Sequence, residues 1–211
     1  MAATTFPASL LERARQLGSA TLHEAGRKQG AVPSRIKPLR PDWRIAAPVF
    51  TVAGPVRDNL WLHRAIYAAP AGSVLVHECG GDDEAGYWGG IMGNAALQCG
   101  LAGFVTEGGV RDSDELRELG LPVFASNVCI RGTSKRADAA GSLGTSVVLG
   151  DVLVRTGDLL VGDADGVVVI AREEAERVVE AGAARDAEEK AIVERIRRGE
   201  RTVDIYKLPT A

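Results

Sequence analysis

Between Arg44 and Ala125, short apolar runs alternate with segments of helical spacing, and no other feature constrains the fold as much. Arg44–Val56 carries β-branched and apolar residues bounded by prolines and reads as a strand. Leu60–Ala69 reads as a short helix stopped by Pro70-Ala71-Gly72, and Ser73–His77 as a buried strand. Gly80–Gly93 is glycine-rich, and its end opens a helix in which Ile91, Ala95, Ala96 and Cys99 share a face before Gly100 stops it. Gly103–Thr106 is a strand, followed by the loop Glu107–Asp112. Ser113 or Asp112 is placed to cap a helix through Leu119, because a side-chain oxygen there accepts a free backbone N–H. Pro122–Ala125 is the next strand. Thr145–Leu149, Val152–Val154, Leu159–Val161 and Val167–Ile170 then cluster as strands, the last two joined by a hairpin-type Gly162-Asp163-Ala164-Asp165-Gly166. A mixed, layered α/β fold follows, in place of a pure doubly wound sheet.

Helices frame this core. Residues 7–29 carry Leu10, Leu11, Ala14, Leu17, Leu22 and Ala25 near helical spacing, with a break expected at Gly18–Ser19, and residues 173–198 read as a long charged helix. At 211 residues a single domain over 1–211 is expected. The net charge of −3 is spread along the chain, so neither a nucleic-acid footprint nor a polybasic membrane surface is indicated. The longest apolar runs are far too short to cross a bilayer. No signal-peptide pattern opens the chain, and Cys79, Cys99 and Cys129 are an odd set without zinc spacing. Buried free thiols and a reduced, cytoplasmic setting are the expectation.

Two stretches carry candidate chemistry. Gly89 and Gly90 stand at the mouth of a helix, where the backbone can approach a ligand and free N–H groups favour a carboxylate or phosphate. Glycines also serve tight turns, and the stretch lacks both the dinucleotide-binding spacing and the phosphate-loop lysine. Arg111 and Asp112 follow a strand in a loop containing Gly108 and Gly109. A guanidinium can hold a carboxylate or a developing oxyanion, and an adjacent carboxylate can ligate a hard divalent cation. A surface ion pair with a helix cap is the plainer reading of such a dipeptide. His23, His63 and His77 lack metal-ligand spacing, so packing or surface roles are expected; Trp61 and Trp88 are expected in the core or an interface.

The stretch Tyr87-Trp88-Gly89-Gly90-Ile91-Met92 … Gly103-Phe104-Val105-Thr106-Glu107-Gly108-Gly109-Val110-Arg111-Asp112 resembles the core of the HMG/CHA aldolases. These are divalent-metal-dependent pyruvate aldolases that share a fold with the regulators of ribonuclease E activity, RraA. His23-Glu24-Ala25, Asp58-Asn59, Gly157-Asp158 and Gly162–Val169 extend the resemblance over nearly the whole chain. It implies a swivelling β/β/α layered domain that assembles as a homotrimer or homohexamer. It also implies a lyase acting on a 4-hydroxy-2-oxo acid, with oxaloacetate decarboxylation through the same enolate. By that likeness Arg111 binds pyruvate and steadies its enolate, and Asp112 anchors Mg2+ or Mn2+. Glu115 is the trailing acid of the motif, and the backbone of Gly89, Gly90, Ile91 and Met92 holds the substrate carboxylate. Glu189 of a neighbouring subunit is the best match for a further metal-site acid, with Glu188 beside it. The leading acid of the pattern falls at position 90, where this chain has glycine. Asp82, Asp83 or Glu84 could supply a carboxylate instead. The alternative reading is a non-catalytic, protein-binding regulator on the same fold, or a related lyase with a drifted substrate.

Overall fold

A computed structural model describes residues 6–209; residues 1–5 and 210–211, the ends of the expected 1–211 span, lie outside the described residues. The first half of the chain runs α1 (Ala8–Ala25), β1 (Lys37–Pro38), β2 (Ile45–Ala53), α2 (Leu60–Ala68), β3 (Val74–Glu78), β4 (Gly86–Trp88) and α3 (Gly90–Gln98). It continues through β5 (Gly103–Thr106), β6 (Gly109–Val110), α4 (Ser113–Leu119), β7 (Val123–Ala125) and β8 (Asn127–Val128). The second half adds β9 (Ser142–Leu143), β10 (Val147–Leu149), β11 (Val152–Val154), β12 (Leu159–Asp163), β13 (Gly166–Ile170), α5 (Ala175–Arg197) and α6 (Thr202–Ile205).

The strands expected from the apolar runs are present, most with ends moved by one or two residues. The hairpin at Gly162–Gly166 forms as β12 and β13, antiparallel with Asp163 opposite Gly166. The short strands β4, β6 and β8 were not legible, because two or three residues carry no period.

In the main sheet β2, β3, β5 and β7 are parallel neighbours, as βα crossovers require. β12 and β13 extend it antiparallel beyond β2, and β1 closes the other edge against β7. Three hydrophobic clusters mark the layers. Leu75, Phe104 and Val123 face α2, α3 and α4 with Leu62, Met92 and Leu116. Val74, Val76, Val105 and Phe124 face the β10–β11 hairpin with Val147, Leu149 and Val154. Leu159, Val161, Val168 and Ile170 pack under α1 and α5 with Ala14, Leu22, Val178 and Val179. Each such side chain contributes roughly 1.5–3 kcal/mol when fully buried. This is the layered β/β/α arrangement anticipated above.

The break expected at Gly18–Ser19 is a kink inside α1, where Gly18 takes φ 80° and ψ 169°. The helix restarts because Asp163 accepts both the N–H (2.7 Å) and the hydroxyl (2.6 Å) of Ser19, a cap supplied from the β12–β13 hairpin. The C-terminal helix spans Ala175–Arg197 after a 3-10 turn at Arg172–Glu174, close to the expected 173–198. Cys79, Cys99 and Cys129 are free, but only Cys79 is buried; Cys99 and Cys129 are half-buried. Among the described residues no helix is long and apolar enough to cross a membrane.

Candidate functional site

Three of the parallel strands, β3, β5 and β7, are each followed by one of the short strands β4, β6 and β8. These pair with one another as a second parallel sheet of order β4-β6-β8. The consequence is local and decisive. β4 leads into Gly89 and the start of α3, and β6 leads into Arg111, Asp112 and the start of α4. With Trp88 opposite Val110, and the Arg111 N–H donating to the Trp88 carbonyl at 2.8 Å, the two helix mouths lie side by side. Such a crevice beyond the carboxyl ends of parallel strands is where open α/β sheets bind ligands.

Behind this edge the β4 strand is pinned by polar contacts. Asn59 Nδ2 donates to the Tyr87 carbonyl at 3.0 Å, and the neighbouring Asp58 carboxylate accepts the N–H groups of Leu60 (2.9 Å) and Arg136 (2.6 Å) and the Ser134 hydroxyl (2.9 Å). Burial pushes the Asp58 carboxyl up, but these donors together hold it below its ordinary value. The buried Glu107 carboxylate accepts the N–H groups of Cys79 (3.1 Å) and Gly81 (2.9 Å), fixing the loop from β3 to β4. Trp88 is fully buried and stacks on Phe104 with centroids 4.1 Å apart and planes at 13°. It belongs to the core beneath the site, while Trp61 is half-buried and donates to the Ala139 carbonyl. His77 is fully buried between Tyr87 and Phe104, and burial pushes its imidazole down to about 3. His63 lies on α2 and His23 on α1, neither in a metal-ligand group.

At the mouth itself, Asp112 stands in the N-cap position of α4 but does not cap it. Its φ of 54° and ψ of 42° place it in the left-handed region, and its carboxylate turns away to accept the Gly90 N–H at 3.1 Å. A strained conformation of this kind costs on the order of 1–3 kcal/mol and persists only where its surroundings impose it. Arg111 Nε lies 3.9 Å from the same carboxylate oxygen. The absence of a Cβ at Gly89 is required: one placed there would overlap Asp112 Oδ2 and come within 3.1 Å of Arg111 Cγ. Glu115, from the first turn of α4, brings its carboxylate against Gly90. Arg111, Asp112 and Glu115 therefore converge on the first turn of α3.

The structure adds detail to several expectations. Of the residues expected to share a face of α3, Ile91 is 82% exposed and Ala96 is buried, and the buried set is Gly90, Met92, Gly93 and Ala96. The helix turns its small residues inward because Leu116 and Leu119 of α4 press against Gly93. Of the backbone donors at Gly89, Gly90, Ile91 and Met92, that of Gly90 is taken by Asp112; those of Ile91 and Met92 remain at the mouth of the helix. Asp82 and Glu84 are held elsewhere: Asp82 accepts the Tyr87 hydroxyl at 2.9 Å, and Glu84 pairs with Arg131 at 2.6 Å. Glu189 is not brought to Asp112 within this chain. It sits on α5, in the layer of α1, where it pairs with Arg185 at 2.8 Å. One residue was missed. Asn94 Nδ2 donates to the Gly90 carbonyl (2.9 Å) and to Glu115 Oε1 (3.2 Å), and its signal was a polar side chain in the middle of an otherwise small and apolar stretch of α3, Gly90–Leu97.

The donor set is all oxygen, which suits Mg2+ or Mn2+. Among the described residues no three His, Cys, Asp or Glu side chains cluster. Mg2+ commonly takes only one or two carboxylates and completes its shell with water and substrate oxygens, so Asp112 with Glu115 nearby fits that requirement.

Residues 9–169 match the family model RraA-like, described as Aldolase/RraA. The chain belongs to the RraA-like family. A protein of Halalkalibacterium halodurans named "putative 4-hydroxy-4-methyl-2-oxoglutarate aldolase" is 34% identical over 158 residues, 75% of this chain and 74% of that one. Streptomyces coelicolor RraAS2, described as an unusual member of the RNase ES inhibitor RraA family, superposes with a TM-score of 0.74 at 26% identity. That match covers 92% of this chain and all of the other. The RNA-processing inhibitor RraA of Thermus thermophilis superposes with a TM-score of 0.65 at 27% identity, over 72% of this RraA-like chain and 90% of the inhibitor.

Proposed function

We propose that this protein is a divalent-metal-dependent lyase of the pyruvate-aldolase type, acting on a 4-hydroxy-2-oxo acid and able to decarboxylate oxaloacetate. The observation that carries the reading is the convergence of Arg111, Asp112 and Glu115 on the Gly89–Gly90 mouth of α3. The likeness to a relative named for 4-hydroxy-4-methyl-2-oxoglutarate cleavage supports the substrate class.

In this reading the N–H groups of Ile91 and Met92 and the positive end of α3 hold the substrate carboxylate. Arg111 donates to the C2 oxygen, where negative charge develops as the bond at C3 breaks. Asp112 holds the cation, Mg2+ or Mn2+, which when bound supplies Lewis-acid polarisation of the 2-oxo group. A fixed guanidinium and fixed N–H donors need not reorganise as charge builds, and that preorganisation lowers the barrier.

The site is proposed to be completed in a homotrimer or homohexamer, with Glu189 of a neighbouring subunit facing the cation. Exposed apolar residues beside the site, Ile91 at 82% and Ile130 at 90%, support a covered face there. Sedimentation analysis reads the assembly directly, and a monomer at micromolar concentration would remove Glu189 from the site.

The deciding experiment follows pyruvate release from 4-hydroxy-4-methyl-2-oxoglutarate and from oxaloacetate with Mg2+, Mn2+ or Co2+. Release above the uncatalysed rate is expected; no release with any metal on either compound would overturn the reading. The second reading, a protein-binding regulator, is favoured by the superposition on the RNA-processing inhibitor and by the lack of an acid at Gly90. Binding to a ribonuclease E-type partner, with no lyase activity, would support it.

A further inference from the structure

A cleft of about 570 Å³ lies between the loop that leaves α1, the β10–β11 hairpin and the start of α5. It shares no lining residue with the α3–α4 mouth. Its volume falls within the range of small-molecule pockets, about 300–1,000 Å³. Val152, Val169, Ile170 and Val178 give it apolar walls, and charged side chains stand around them.

The backbone of the α1 loop sets two of those charges. Arg27 and Lys28 hold φ of 61° and 60°, a left-handed conformation that residues other than glycine seldom adopt. The turn is pinned on both sides. The Lys28 N–H donates to the His23 carbonyl at 2.8 Å, and the Val169 N–H donates to the Gly30 carbonyl at 2.8 Å. His23 Nδ1 lies 3.1 Å from the Gln29 carbonyl and is the donor there, since a carbonyl only accepts. Backbone strain of this kind gathers at ligand sites.

The charges of the cleft do not cancel. The Asp158 carboxylate is spent on the N–H groups of Arg155 (2.8 Å) and Arg172 (3.2 Å). Burial pushes that carboxyl up, against those two donors and the nearby Arg155 charge. Glu174 is spent on Arg177 at 2.7 Å, and Lys28 lies 3.8 Å from Glu24, which does not line the cleft. Arg27 and Arg155 line it and, among the described residues, make no ion pair. Asp151, in the β10–β11 turn, makes none either and opposes them. Two guanidinium groups against one carboxylate leave an excess of positive charge. Each guanidinium can take a carboxylate or phosphate through two parallel N–H bonds.

We infer that this cleft is a second ligand site, for a small organic anion. Arg27 and Arg155 hold its carboxylate or phosphate group, and its short carbon body lies on the apolar walls. The site stands whether or not the α3–α4 mouth is that of a lyase. Asp151 repels such a ligand and limits its affinity.

The test titrates the whole chain with succinate and with ethyl phosphate in a calorimeter. At least one should bind, more weakly as salt is raised, and the tighter of the two tells which group is recognised. Arg27→Ala and Arg155→Ala should each weaken that binding by roughly 10-fold or more. Arg27→Lys and Arg155→Lys should weaken it less, because the charge is kept and the paired N–H contact is lost. Asp151→Asn should tighten it by roughly threefold. Arg111→Ala should leave it unchanged within about twofold. In the wild-type protein, phenylglyoxal should modify Arg27 and Arg155, read by peptide mass spectrometry, and the bound probe should protect both. That reading needs no variant to fold. Failure of both probes to bind at about 10 mM overturns the inference. So does binding that is lost in Arg111→Ala and kept in the Arg27 and Arg155 variants, or modification of both arginines undiminished by the probe. Weaker binding in Asp151→Asn overturns it too, because the carboxylate would then support the ligand.

Discussion

The Asp112 carboxylate accepts the backbone N–H of Gly90 at 3.1 Å, so the residue that opens α4 ties down the first turn of α3. The contact joins the two halves of the candidate site through one oxygen. Its geometry depends on Gly89, where a Cβ would overlap that same carboxylate. Gly89→Ala should therefore displace Asp112 without unfolding the protein. We expect Mg2+ or Mn2+ affinity, measured by calorimetry, to fall by roughly 10- to 100-fold, the range seen when metal-site geometry is disturbed. Unchanged affinity would remove Asp112 from the metal site.

Arg111 and Asp112 should fail differently when removed. Arg111→Ala takes away a donor to the developing oxyanion, and the rate of pyruvate release should drop by roughly 100- to 1000-fold. Metal affinity should be nearly unchanged. Asp112→Ala should abolish both metal binding and turnover. Equal kinetics in wild type and both variants would put the chemistry elsewhere.

His77 should make the fold sensitive to acid. Burial holds its imidazole down to about 3, against about 6.5 in an unfolded chain. Between those values the unfolded chain binds a proton that the folded one refuses. Stability from this group is therefore intact above about pH 6.5 and declines as pH falls, by about 1.4 kcal/mol per pH unit. His77→Phe keeps a ring against Tyr87 and Phe104 and removes the titration. Urea unfolding at several pH values from 7 to 4.5 should show a flatter profile for the variant. A profile parallel to wild type would refute the assignment.

Trp88 contributes packing beneath the site. It is buried against Phe104, and its Nε1 has no hydrogen-bond partner. Trp88→Ala should cost roughly 3–5 kcal/mol of stability in urea unfolding. Trp88→Phe should cost much less, because it keeps an aromatic ring on Phe104 and deletes the unpaired donor. If the two variants are equally unstable, the stack is not the source of the stabilisation.

The periodic parts of the fold were legible in sequence because their signals are local. Four- and five-residue apolar runs such as Gly103–Thr106 and Val167–Ile170 have one way to bury both faces, and the Asp165-Gly166 turn fixes the hairpin between β12 and β13. Gly18 broke α1 where expected, though nothing local shows that Asp163 restarts it from 144 residues away. Which face of α3 is buried was not legible, because apolar or small residues occur all around it and their spacing does not say which face Leu116 and Leu119 will press upon.

By itself the sequence determined the layered α/β pattern and the residues that could do chemistry: two glycines at a helix mouth, and Arg111, Asp112 and Glu115 on the next strand–helix junction. That these belong to one site follows from long-range pairing alone. The pairing of β4 with β6 sets the two junctions side by side, and strands of two or three residues leave no mark in a sequence. Tertiary structure also decided what Gly90 means. In the sequence it is a missing acid; in the fold it is the first residue of α3, its N–H bonded to Asp112 and the Glu115 carboxylate lying against it.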